Sequence, residues 1–396
     1  MTLESLKNIL EKCVRCGKCR ARCPSLEANE DGTPGWEIYG PRGRMRLASG
    51  ILEDEIPITD MVQDGIYTCF FCNQCVVSCP SMANITDVII ETRKYLVEKG
   101  LVAKSVLQAQ ETINDSKNLF GMHQEDRVEL WSMDVDELIE DRINIPADVL
   151  FFIGCQGSFR GELVDIPVRM VQIFDKIGEE FTLLGEDELC CGNPLELTGG
   201  SNEQLKALAE YNIEKIESLG VKRVIFSCPG CYRTFKKTYP KLLGKDLPFI
   251  CQMASEYLLE KINDGSIKLQ EISGIGKVVY HDPCELGRHM NYYEIPRELI
   301  KKIPSLDFIE FKDNKENCNC CGMGGGVALH DEKVADFQAR NKSKDIEEIE
   351  ANIVVTHCPA CFQGIGKAIE KIVGEAKNIK VMDIIELIAL SMGIED

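Results

Sequence analysis

Twenty cysteines in a chain of 396 residues constrain this sequence more than any other feature, because most of them recur at fixed spacings. The later part of the chain carries one pattern twice. Cys155 is followed by the adjacent pair Cys190 and Cys191 with Gly192, then by Cys228-Pro229-Gly230-Cys231. Cys284 is followed by Cys320, Cys321 and Gly322, then by Cys358-Pro359-Ala360-Cys361. Corresponding positions are offset by 129 or 130 residues, so an internal duplication, each copy one compact module, is the simplest explanation. Neighbouring cysteines rarely suit a disulfide with each other, and zinc sites prefer a spacing such as C-x2-C. Five thiolates per module also exceed the four of a tetrahedral zinc site or a cubane cluster. An adjacent pair with diverging side chains can reach different metals of one cluster, and Gly192 and Gly322 let the backbone pass close to it.

The local patterns repeat as well. "DVLFFIGC" and "GKVVYHDPC" are apolar, β-branched runs ending at the first cysteine, and "VKRVIFSCPGC" and "ANIVVTHCPAC" end at the C-P-x-C. They read as buried strands of mostly parallel sheets. Helical stretches lie between, such as "SNEQLKALAEYNIEKIESLG" ending at Gly220. Strand–helix alternation predicts α/β modules, with the cysteines beyond the carboxyl ends of strands, where open α/β sheets build ligand sites.

The first hundred residues hold "CVRCGKCRARCP" and "CFFCNQCVVSCP". Both are C-x2-C-x2-C-x3-C-P, the ferredoxin run for [4Fe–4S] clusters, in which the fourth cysteine ligates the other cluster. The expected ligand sets are Cys13, Cys16, Cys19 with Cys79, and Cys69, Cys72, Cys75 with Cys23. Lys12, Arg15, Lys18, Arg20 and Arg22 either offset the negative charge of such clusters or face water. The flanks "LESLKNILEK" and "ITDVIIETRKYLVEKG" have helical periodicity. With the long gap from Cys23 to Cys69, and "YGPRGRMRLASGIL" within it, this half resembles the α-helical ferredoxin domain of succinate dehydrogenase iron–sulfur subunits and heterodisulfide reductase C subunits.

Net charge is −19, which argues against broad nucleic-acid binding. Glu125–Asp141 holds eight acids and one base and reads as a solvated linker or helix face; a docking surface for a basic partner is the sharper alternative. No apolar amino-terminal segment suggests a secretory signal, and no run approaches the ~18 apolar residues of a membrane helix. Clustered cysteines without a leader predict a reducing, cytoplasmic setting, with any membrane contact at its inner face through a partner subunit. The expected divisions are residues 1–110, a helical ferredoxin domain; 111–147, an acidic linker; 148–270, the first α/β module; and 271–396, the second.

The doubled C-x34–35-C-C-G-x36-C-P-x-C pattern resembles the paired cysteine-rich "CCG" domains of heterodisulfide reductase. A ferredoxin half fused ahead of two such modules is similar to that family's D subunits. It is also similar to the iron–sulfur subunits of glycolate oxidase, lactate-utilisation and anaerobic glycerol-3-phosphate dehydrogenase complexes. "YHDPCELGRH", "CCGMGGG" and "CPGCYRTFKKTYPK" carry the likeness. The resemblance implies two noncubane [4Fe–4S] clusters besides the two cubanes. Their ligands would be Cys155, Cys190, Cys191, Cys228 and Cys231, and Cys284, Cys320, Cys321, Cys358 and Cys361. It also implies reduction of the coenzyme M–coenzyme B disulfide, with electrons from a cytochrome b membrane subunit or a flavoprotein. The alternative is an electron-relay subunit of a flavin-linked 2-hydroxyacid, glycerol-3-phosphate or acyl-CoA oxidoreductase. Glu285 departs from the family, where many members carry histidine.

Among the histidines, His281, His289 and His357 lie near cluster ligands, and His289 is the candidate for proton supply, against a packing role. "CGMGGG" follows no strand directly and lacks G-x-G-x-x-G, so it is not read as a dinucleotide loop. Cys251 reads as a buried thiol and Cys318 as a bystander able to line the second site.

Overall fold

The runs that precede the cysteines form short strands with almost wholly buried side chains. In a computed structural model, which describes residues 3–26, 35–372 and 379–394, the first module holds β1 (Val149–Phe152), β2 (Phe181–Thr182), β3 (Arg223–Phe226) and β4 (Ile250–Met253). The second holds β5 (Lys277–Tyr280), β6 (Asp307–Ile309), β7 (Ile353–Thr356) and β8 (Lys380–Asp383). Strand order is β2-β1-β3-β4 in one sheet and β6-β5-β7-β8 in the other. Every pairing is parallel, with Val149 opposite Arg223 and Val278 opposite Ile353 in the central pairs. The fold is thus the expected helical domain followed by two α/β modules. Parallel strands need helices on both faces, which explains the continuous apolar runs.

The helices obey their sequence signals. Asn202–Ser218 begins at Ser201, whose hydroxyl accepts from Gln204 N while Gln204 returns a bond to Ser201 N, a capping box. In the second module Asp383 and Glu386 do the same for Ile384–Ser391. Pro229 and Pro359 each stand at the first position of the helix after the strand, where a missing N–H costs nothing. The two helices then differ. Pro359–Ile372 is continuous, whereas Pro229–Arg233 widens into a π turn over Thr234–Thr238 just ahead of Pro240. Pro240 has no N–H for the carbonyl four residues back, so the regular ladder breaks there.

One apolar core runs through both modules. Phe151, Phe174 and Leu258 of the first share it with Val355, Ile384 and Ile388 of the second. The acidic run folds as short helices, Asp126–Ser132 and Asp136–Ile139, and Trp131, Val135 and Ile139 belong to that same core. Its acids line the outer side of a docked segment. The amino-terminal part is helical, with Leu3–Lys12, Pro41–Leu52, Asp60–Tyr67, Ile85–Glu98 and Lys104–Ser116 as its longer members. Among the described residues no helix is long and apolar enough to cross a membrane.

Arg93, on Ile85–Glu98, joins the three parts. Its guanidinium donates to the carbonyls of Leu197 (2.6 Å) in the first module and Gly325 (2.6 Å) in the second. It also donates to the carbonyls of Ile66, Tyr67 and Cys69 at 3.0–3.1 Å. Gly325 itself has φ +67°, and a Cβ there would lie 2.2 Å from the Cys69 carbonyl. The glycine-rich "GMGGG" is therefore a backbone-to-backbone seam between the second module and the ferredoxin run.

Candidate metal centres and the cleft between the modules

In the amino-terminal part Cys23 crosses to the second run. It lines one small cavity, of about 20 Å³, with Cys69, Cys72 and Cys75. Phe71 N donates to Cys69 Sγ (3.4 Å) and Arg44 reaches Cys23 Sγ (4.0 Å). Cys13, Cys19 and Cys79 share the other side of the same core, with Cys16 exposed. Ala83 N donates to Cys79 Sγ at 3.4 Å, and hydrogen bonds hold that thiol below its ordinary pKa against the opposing effect of burial.

In the first module the five thiols form an unbroken chain of sulfur contacts. Cys155 meets Cys190, Cys190 meets Cys191, Cys191 meets Cys231, and Cys231 meets Cys228. In the second, Cys320 meets Cys321, Cys321 meets Cys361 (3.2 Å between sulfurs), and Cys361 meets Cys358, with Cys284 beside Cys320. Here the end of the chain turns outward, because Cys320 also meets Cys72 of the ferredoxin run. Gly192 (φ +84°) and Gly322 (φ +87°) donate their N–H groups back to Cys190 and Cys320 Sγ at 3.4 and 3.5 Å. Their missing side chains also permit a close approach to neighbouring helices. A Cβ at Gly192 would strike Leu205, and one at Gly322 the backbone of Glu332–Glu348 at Ala335 and Ala339.

This donor set fits thiophilic metal. Contact with Cys190 and burial push Cys155 far above an ordinary thiol, and contact with Cys320 and burial do the same to Cys72. Crowded neutral thiols make poor hydrogen-bond partners, and a metal that takes their thiolates relieves both the crowding and the charge. Five contiguous sulfurs exceed one tetrahedral ion, so a cluster suits them better than zinc.

A cleft of about 210 Å³ opens between the modules. Cys155, Cys191, Cys228 and Cys231 line it from the first module and Cys358 from the second. Its walls come in duplicated pairs: Gln156 with Glu285, Asn193 with Met323, Gly230 with Ala360. Gln156 Oε1, Asn193 Nδ2 and Arg160 Nε are buried without a hydrogen-bond partner among the described residues. Such atoms are costly to leave unmet, so a polar ligand finds donors and an acceptor waiting. Glu285 is held by an ion pair with Arg233, which also faces Glu196 at 3.3 Å.

His289 does not face this cleft. Its Nε2 lies 2.7 Å from the Phe71 carbonyl, its ring stacks on Phe71 (4.9 Å), and burial pushes its pKa down to about 4. It lines a separate outer cleft with Lys94, Arg233 and Lys237. That geometry suits packing better than proton supply. From sequence, His281 reads only as near cluster ligands and Cys318 as a bystander able to line the second site. His281 Nδ1 is 3.4 Å from Cys318 Sγ, and its ligand atom lies within 4.8 Å of the sulfurs of Cys321 and Cys361. His357 is fully buried with neither ring nitrogen bonded among the described residues, and burial holds its pKa down at about 3. Aligning the two repeats would have found the first two: His281 replaces Phe152 and Cys318 replaces Glu188. Cys251 is buried in β4 as expected.

The cysteine-rich domain family matches residues 149–236 and 278–366, and the 4Fe-4S dicluster domain family matches 9–83. The chain is 31% identical to the D subunit of the dihydromethanophenazine:CoB–CoM heterodisulfide reductase of Methanosarcina barkeri, over 97% of this chain and 94% of that one. The D subunit of the same enzyme from Methanosarcina acetivorans is 32% identical, again over 97% and 94%. The chain is 27% identical to the "EtfAB:quinone oxidoreductase" of Syntrophomonas wolfei, over 97% of this chain and 58% of that one. A hypothetical protein from Helicobacter pylori shares the fold, with TM-score 0.54, 12% identity and coverage of 90% of this chain and 68% of that one.

Proposed function

This chain belongs to the D-subunit family of heterodisulfide reductases, which are iron–sulfur oxidoreductases, and from that premise we propose that it is a catalytic subunit reducing the coenzyme M–coenzyme B disulfide. The observation that carries the reading is the single cleft lined by cysteines and by duplicated wall positions of both modules. An unsymmetrical disulfide has two sulfurs to be received, and the two walls are alike in position but unlike in chemistry.

The reaction adds two electrons and two protons, breaks the S–S bond and releases two thiols. In this reading Cys13, Cys16, Cys19 and Cys79, and Cys23, Cys69, Cys72 and Cys75, hold two cubane clusters. Each five-cysteine set holds one noncubane cluster. Such clusters, when bound, supply single electrons and Lewis acidity towards thiolate sulfur. The chain's own residues do the rest. Gln156, Arg160 and Asn193 present unmet polar atoms that orient the ligand's polar groups. The half-buried apolar side chains of Met323 and Leu329 line the other side and limit the access of water. The contact of Cys72 with Cys320 favours electron entry through the second module. Exposed Cys16, with Val14 and Met82 exposed nearby, marks the face for an electron-donating partner, a cytochrome b membrane subunit or a flavoprotein.

Likeness to an EtfAB:quinone oxidoreductase favours a second reading, an electron relay in a flavin-linked complex. One anaerobic experiment separates the two. The purified chain is assayed for disulfide reduction with reduced viologen, and EPR spectra are taken after oxidation with and without coenzyme M. Turnover and a signal appearing only with the thiol are expected. Neither, from protein with full iron, refutes the reductase and leaves the relay.

A further inference from the structure

We propose that three buried arginines, Arg44, Arg93 and Arg288, make the inner cysteine set (Cys23, Cys69, Cys72, Cys75) the electron-holding station of this chain, at higher potential than the outer set. The proposal rests on the cubane ligand sets assigned above. Each arginine approaches a different member of the inner set. Arg44 lies 4.0 Å from Cys23 Sγ and is fixed by the Gly65 carbonyl (2.6 Å) and the Thr68 hydroxyl (3.2 Å). Arg93 donates to the Cys69 carbonyl at 3.0 Å. Arg288 comes from the second module and donates to the carbonyls of Cys72 (2.6 Å) and Cys318 (2.7 Å). Their exposures are 1%, 0% and 8%.

None of the three has a carboxylate in ion-pair range among the described residues. That sets them apart from three other buried arginines. Arg127 faces Glu188 (2.7 Å), Arg297 faces Asp282 (2.7 Å), and Arg233 faces Glu285 and Glu196. Around the outer set three arginines are paired and wetter, Arg20 and Arg42 sharing Glu37 and Arg22 meeting Asp313, while Arg15 is exposed to water. Carbonyl dipoles alone compensate a buried guanidinium poorly, and an uncompensated buried cation is strongly destabilising. Three of them converging on one all-thiolate site call for a negative charge at that site. The module repeat shows that this is not a generic need of the fold, because the position equivalent to Arg288 in the first module is Phe159.

Reduction of this centre by one electron adds one negative charge, with no bond broken and no proton required. Fixed cations in a water-poor surrounding favour that added charge, and potential follows net charge, hydrogen bonding and exposure. The inner centre would then fill first and stand charged beside Cys320, while the outer centre passes electrons in.

The test is a potentiometric EPR titration of the full-length chain with its clusters in place. Arg44→Gln and Arg288→Gln are made separately, so that a folding failure of one leaves the other, with Arg44→Lys and Arg288→Lys as charge-keeping partners. Cys16→Ser and Cys23→Ser assign the outer and inner signals. At fixed poise, each glutamine variant is expected to lower the reduced-to-oxidised ratio of the inner centre about tenfold, roughly 59 mV for a one-electron couple. The lysine variants should recover most of the loss, and the outer centre should not move. An inner midpoint unchanged in both glutamine variants at full iron content overturns the proposal, as does a lysine variant shifted as far as its glutamine counterpart. Full iron and an unaltered inner signal in Cys23→Ser would overturn the ligand assignment and the proposal with it. Disulfide reduction is not scored, so failure of the substrate reading leaves this result unaffected.

Discussion

Removing the Arg93 guanidinium should loosen the whole chain. Its two terminal nitrogens serve five buried carbonyls from all three parts of the fold. In Arg93→Met the stem volume remains but every donor is lost. Each carbonyl left buried and unmet costs about 1–3 kcal/mol. Water will reach some of them, and if half remain dry the loss is about 4 kcal/mol. With an unfolding entropy of about 2.1 cal/mol/K per residue over 396 residues, that corresponds to a fall of roughly 5 °C in Tm if the chain melts as one unit. Arg93→Lys keeps the charge but not the planar fork, so it should recover only part of the loss. Calorimetry alongside tryptophan fluorescence reads the result, and separate transitions would show the parts uncoupling. A Tm within about 1 °C of wild type for Arg93→Met, in a single transition with iron retained, would refute the view that this side chain holds the parts together.

Two further outcomes follow from the same geometry. Gly325→Ala places a Cβ against the Cys69 carbonyl at a positive φ, so the seam must open and iron at the inner ferredoxin site should fall, measured by metal analysis; unchanged iron and Tm would argue that the seam is slack. Burial pushes Glu386 up to about 7, so its neutral form is favoured by folding. That contribution is fully present below the unfolded value near 4.5 and lost as pH rises through about 7. The unfolding free energy from denaturant titrations should therefore fall less between about pH 5 and 8 in Glu386→Gln than in wild type, by up to about 3 kcal/mol; parallel curves would contradict this.

Much of the molecule was legible before any coordinates. Continuous apolar runs, period-3.6 helical patterns, proline after cysteine and the doubled cysteine spacing point to a helical domain and two α/β modules, because these are local preferences and a repeat cannot hide. The expected cysteine groups come from the duplication at 129 or 130 residues and from the ferredoxin spacing, both of which are written in the order of residues. The partners of those sets were not legible. Cys72 against Cys320, Gly325 against Cys69 and Arg93 across three segments join residues far apart in the chain, and no periodicity encodes such contacts. The same holds for charge. Along the chain Arg44, Arg93 and Arg288 look like any other basic residues, and the acidic run looks like solvent-facing linker. Only packing reveals which cations lie in low dielectric without a carboxylate, and which side of the acidic helices is apolar and docked. Sequence alone determined what each segment is able to ligate; tertiary structure decided which centres face each other and what charge surrounds them, because electrostatics and close packing depend on distance through space.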